Sequence, residues 1–112
     1  STPCGTLFPY TTLFRSFLTG NFDNARKYFE RVVEIEGNKH DYINLGHVEW
    51  CLNNRKKAVE YYIRSLKQED RQYNDFVEEF NIDRSHLIEN GIDENEIPLM
   101  LDFLNYEFEN KK

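Results

Sequence analysis

The chain has 112 residues, with 20 acidic and 14 basic side chains and a formal net charge of −6. That balance disfavours a phosphate-backbone ligand, which draws on Lys and Arg to release counterions, and no apolar run approaches the roughly 18–20 residues needed to cross a bilayer. A length of this order suits one small domain with a modest core, here rich in aromatic side chains.

The first stretch, "TLFPYTTLFRS" (6–16), holds no acid, while the residues after it hold all 20. It does not read as a secretory signal. Pro9, Tyr10, Thr11 and Thr12 interrupt the apolar run, and the single base, Arg15, comes after that run instead of preceding it. Letter by letter it resembles the translation of a common sequencing-adapter oligonucleotide. Residues 1–16 are therefore set aside as a non-native tail, and the native protein is expected to begin upstream of Phe17. The remainder carries a charge of about −7 and keeps Cys51 as its only cysteine. One cysteine makes no intrachain disulfide, so a reducing, cytoplasmic location is expected.

Internal repetition organises the rest of the chain. "GNFDNARKYFERVVEIEG" (20–37) and "NNRKKAVEYYIRSLKQED" (53–70) align without a gap at a period of 33 residues. Ala25, Phe29, Val32 and Val33 in one segment, and Ala58, Tyr62, Ser65 and Leu66 in the other, recur at helical spacing and form one face each. Gly20 and Asn53 precede these helices, and both types tolerate the left-handed backbone that ends a preceding helix. Between the segments, "NKHDYINLGHVEWCL" (38–52) predicts another helix, with Asn38 as its N-cap.

Tyr42-x-x-Leu45-Gly46 followed by Ala58-x-x-x-Tyr62, with Ala25-x-x-x-Phe29 before them, resembles the tetratricopeptide repeat. That resemblance covers about residues 20–67. It implies an all-α fold of antiparallel helical hairpins, about 34 residues each, stacked into an α-solenoid. Small Gly46 and Ala58 would let two helices approach closely, with Ala58 expected beside Gly46. The chain departs from the pattern at Glu49, where the family usually has Tyr, at Arg55, where it usually has an aromatic, and at Gly37 and Asp70, where it usually has Pro. The expected organisation is a tail (1–16), repeats with a truncated first member (17–69), and a degenerate helical hairpin with a C-terminal capping helix (70–112). The first A helix would fall at about 6–19, where Leu13, Phe14, Phe17 and Leu18 could still form an apolar helical turn.

"QYNDFVEEFNI" (72–82) sets Tyr73, Phe76, Val77 and Phe80 on one face, and Asp83 is expected to cap a short helix that stops at Asn90-Gly91. "IDENEIPLMLDFLNYEFENKK" then predicts a last helix, with Asp93 and Glu96 as a capping box and Pro98 near the first turn. Leu99, Leu101, Leu104 and Phe108 are its expected apolar positions. This segment suits a lid on the stack, since terminal elements of a repeat array must cover its open face. "NGIDENEIPLMLDFL" also resembles tails found after such repeats in bacterial proteins.

No catalytic constellation is apparent. His40 and His47 are seven residues apart, whereas a metal pair on one helix wants a spacing of three or four, so neither metal nor cofactor is expected. Cys51 has no visible cationic neighbour, and Glu78-Glu79 and Asp93-Glu94 read as solvated faces. What the resemblance implies is a surface: in this family the A helices line a concave groove that takes a peptide or a helix. Carried over residue by residue, the groove candidates are His40, Ile43, His47 and Trp50, with packing of Trp50 on the 72–82 helix as the alternative. The expected function is a noncatalytic protein-interaction module with a protein or peptide partner and neither nucleic acid nor membrane. The alternative is a regulatory or accessory domain of a larger enzyme or sensor whose catalytic part lies upstream.

Overall fold

Asn38 starts a helix. In a computed structural model describing residues 22–68 and 72–110, its side chain accepts hydrogen bonds from the backbone N–H groups of His40 (2.9 Å) and Asp41 (3.1 Å), as the N-cap expectation requires. The described elements are α1 (Phe22–Glu36), α2 (Lys39–Cys51), α3 (Arg55–Leu66), α4 (Tyr73–Ile82), α5 (Arg84–Glu89) and α6 (Glu96–Asn110). The fold is all-α. The adapter-like segment, Cys4, the apolar turn expected at Leu13–Leu18 and Gly20 lie outside the described residues.

Two of the turns are closed by the same device. After α2, Asn53 adopts φ +69°, and the N–H groups of Asn53 and Asn54 return to the carbonyls of Trp50 (2.9 Å) and Glu49 (2.8 Å). After α5, Gly91 adopts φ +106°, and the N–H groups of Gly91 and Ile92 return to Ile88 (3.1 Å) and Leu87 (3.0 Å). This left-handed cap satisfies the last carbonyls of a helix and turns the chain sharply. Both residue types were legible as stop signals.

The tight turns make antiparallel pairs. Arg26 near the start of α1 meets Glu49 near the end of α2, and Ser65 near the end of α3 donates to the Lys39 carbonyl at the start of α2 (2.8 Å). Helix α2 lies between its neighbours, so all eight residues from Ile43 to Trp50 are buried. The close approach expected at Gly46 is present. Ala58 is fully buried, and the Tyr62 ring, one turn further along α3, presses against Gly46: a methyl added at Gly46 would overlap Tyr62 Cε1.

Helix α4 presents Phe76 and Phe80, both fully buried, with Tyr73 and Val77 flanking them, as its spacing predicts. The Tyr73 hydroxyl donates to the Leu101 carbonyl (2.6 Å) and fastens α4 to α6. The apolar register of α6 needs correction. Ile97, Met100 and Leu104 are the fully buried positions, Leu101 and Phe108 flank them, and Leu99 is exposed. A stripe at i, i+3 and i+7 from Ile97 fits the groove that α3 offers, and Leu99 falls on the opposite side of that stripe. At the start of α6 the Asp93 side chain accepts from Asn95 N–H (2.9 Å) and its carbonyl accepts from Glu96 N–H (2.9 Å), so the cap rests on Asp93. Pro98 sits at the third helical position, where an N–H has no intrahelical acceptor to lose.

Candidate interaction surface

The helical repeat places His40, Ile43, His47 and Trp50 on one face of α2. The structure separates them. The His40 side chain is 58% exposed and its Nδ1 lies 2.5 Å from the Glu79 carboxylate of α4. Ile43, His47 and Trp50 are buried at 0%, 2% and 5%. The expectation of an open groove at these three is therefore corrected: they are core. Helix α4 lies across them, with Phe80 edge-on to His47 (4.9 Å between ring centres) and 6.4 Å from Trp50, while Phe76 and Phe80 both contact Tyr62 (6.0 and 5.3 Å). Packed aromatic pairs of this kind contribute about 0.5–1.5 kcal/mol each beyond their buried area. The alternative placement of Trp50, on the 72–82 helix, is the one observed.

Residues 17–39 and 42–70 match the family model of the tetratricopeptide repeat. These two segments of the chain are tetratricopeptide repeats. No curated protein and no solved structure matches it. The first matched segment ends with α1 and its turn, and the second spans α2 from Tyr42 through α3, so α1 is the second helix of one repeat, and α2 with α3 makes the next. Repeats of this family are generally protein–protein interaction modules and typically noncatalytic scaffolds.

The departures from the repeat pattern acquire a physical reading here. Glu49, at the usual Tyr position, is fully buried, and its carboxylate takes a two-point contact from Arg26 (Nε 3.0 Å, Nη2 3.3 Å) and a bond from the Asn54 amide (2.8 Å). The bonds to Glu49 hold the Arg26 pKa above its ordinary value. An ion pair thus joins α1 to α2 at a position where the repeat usually has Tyr. Removing Arg26 would leave a buried carboxylate with only Asn54 to satisfy it, a strongly unfavourable arrangement.

A second polar network ties α2 to α3 and to the α4–α5 turn. His47 Nδ1 lies 2.7 Å from the Tyr62 hydroxyl, and His47 Nε2 lies 3.3 Å from Asp83 Oδ2. Burial, then the nearby Cys51 and Asp83, holds the Tyr62 phenol well above the ordinary tyrosine range, so it stays protonated and can donate to Nδ1. His47 Nε2 faces the Asp83 carboxylate without making a hydrogen bond to it. Asp83 was expected to cap α5, but its side chain makes no cap bond and is buried toward His47 instead. Neither network was anticipated. The available signal was Glu49 itself, an acid at a position where the repeat usually has Tyr.

His47, Asp83 and Glu49 are closed off by packing, and burial pushes the Cys51 thiol up to about 12, far from a nucleophilic thiolate. Among the described residues, no group of three or more His, Cys, Asp or Glu is placed to hold a metal ion, and no helix is long and apolar enough to cross a membrane.

Proposed function

We propose that the chain is a noncatalytic protein-interaction module that takes a peptide or helix along the face shared by α2 and α4. The observation that supports the reading is that this face already accepts an amphipathic helix, its own α4, through Phe76 and Phe80. Aromatic anchors seated in a pocket of His and aromatic side chains are the usual currency of such recognition. With Ile43, His47 and Trp50 covered, the accessible edge of the face runs along His40 and Glu79. The partner is expected to meet that edge and continue along α4.

Incorporating a photoreactive phenylalanine at position 40, and separately at exposed Lys27 on α1, tests this in the native cell. The reading expects a discrete protein adduct from position 40 and none from position 27. Adducts from both positions in equal yield, or from neither, contradict it.

A further inference from the structure

Asn90 and Gly91 are the only place in the chain where asparagine is followed by glycine. That dipeptide carries a chemistry of its own. The glycine backbone nitrogen, with no side chain beside it to hinder ring closure, can attack the asparagine Cγ. The new C–N bond closes a five-membered succinimide, and the side-chain nitrogen leaves as ammonia. Water then opens the ring at either carbonyl. The product is aspartate or, where the main chain is rerouted through Cβ, isoaspartate.

The fold sets this dipeptide at the joint between α5 and α6 and engages each group the reaction needs. The Gly91 N–H, whose proton must leave before attack, donates to the Ile88 carbonyl (3.1 Å). The Asn90 side-chain nitrogen, the leaving group, donates to the His86 carbonyl (2.8 Å), which also accepts from the Asn90 backbone N–H (3.1 Å). Gly91 itself is exposed, and a Cβ built on it would meet nothing within 4 Å. Hydrogen bonding, and not burial, is therefore what holds the site back. These bonds do not sustain themselves. Helix α5 has six residues, too few to stay helical alone in water. Its place depends on Leu87, fully buried before the joint, and on Ile92 and Ile97, packed into the core after it.

We propose that Asn90 is a deamidation site gated by α6, closed while that helix is docked and open when it lifts. Isoaspartate adds a methylene to the main chain between α5 and α6. The N–H groups of Gly91 and Ile92 can then no longer both return to Ile88 and Leu87, and the cap that turns the chain into α6 is lost. The modified lid docks less firmly. Because hydrolysis restores no amide, a chain that has opened and reacted keeps a permanent mark of it.

The test ages the intact chain in mildly alkaline buffer, with and without urea, and follows Asn90 by peptide mapping. Asn95, which precedes Glu96 in the same chain, is the internal reference. Asn90 is expected to convert far faster than Asn95 in urea, and at least about tenfold more slowly in native buffer than in urea. Two variants locate the gate. Ile97→Val loosens α6 and Ala25→Gly loosens α1 by a comparable amount, both mildly enough to keep the fold, which circular dichroism verifies. Ile97→Val should speed native conversion by about two- to tenfold, and Ala25→Gly should leave it near the parental rate. The isoaspartate chain, separated from the parent and refolded, should unfold at a lower urea midpoint. Equal rates at Asn90 in native buffer and in urea, or Asn95 converting as fast in urea, overturn the site. Equal acceleration by the two variants overturns gating by α6, making global unfolding the route. An isoaspartate chain with the parental midpoint overturns the effect on the lid.

Discussion

Gly46 and Tyr62 are in contact so close that no side chain fits between them: a methyl on Gly46 would overlap Tyr62 Cε1 and lie 2.5 Å from Cδ1. Tyr62 is fully buried and cannot swing aside without displacing Phe76 and Phe80. Gly46→Ala is therefore expected to cost at least about 1–3 kcal/mol by overpacking. Ala58→Leu, one turn back on α3 and equally buried, should fall in the same range, while exposed Lys57→Leu should stay within about 0.5 kcal/mol. Urea unfolding of the three variants checks the order.

The hydroxyl of the same tyrosine carries a separate load. Tyr62→Phe keeps the ring and removes the 2.7 Å bond to His47. A buried polar group that loses a partner costs about 1–3 kcal/mol. The midpoint of urea unfolding should fall with an unchanged slope. A neutral result would show that His47 does not depend on Tyr62.

Cys51 should be a slow thiol. Burial raises its pKa to about 12, whereas an unfolded cysteine titrates near roughly 8.5. At mildly alkaline pH the folded chain holds almost no thiolate, so alkylation should be many times slower than in urea. The same shift works against the fold at high pH: its stabilisation is present below about 8.5 and is lost as the pH rises toward 12. Labelling kinetics in native buffer and in denaturant measure the contrast.

Helix α6 should act as a lid. Ile97, Met100 and Leu104 are completely buried, and burying such side chains is worth about 1.5–3 kcal/mol each. A domain of this size has only about 5–15 kcal/mol in total. Deleting residues 97–112 should leave the chain aggregated or loosely packed on size exclusion. A soluble monomer with an unchanged cooperative melt would show that α6 is dispensable to the fold.

The helices, their stops and the repeat register were legible because each is written locally. Asn38 and Asn53 act through their own backbone neighbourhoods, and the 33-residue period repeats the face of Ala25 and Phe29 in Ala58 and Tyr62. The fate of the groove face was not legible. Whether Ile43, His47 and Trp50 line open space depends on where α4 lies, and the helical spacing of Phe76 and Phe80 says that they are buried without saying against what. Charge pairing across helices was hidden for the same reason: Arg26 and Glu49 are 23 residues apart, and only the fold brings them together. In α6, Leu99 and Ile97 are equally apolar as letters. Docking on α3 decides which one is covered.

Trp50 is the only tryptophan in the chain, so one measurement reports directly on the central feature, the covering of the α2 face by α4. Its fluorescence should be blue-shifted and resistant to acrylamide in the native chain. Phe80→Ala should move emission and quenching toward those of the unfolded protein while helix content is largely kept. Native Trp50 emission and quenching indistinguishable from the unfolded chain, with no response to Phe80→Ala, would mean that the face stands open and would contradict the account.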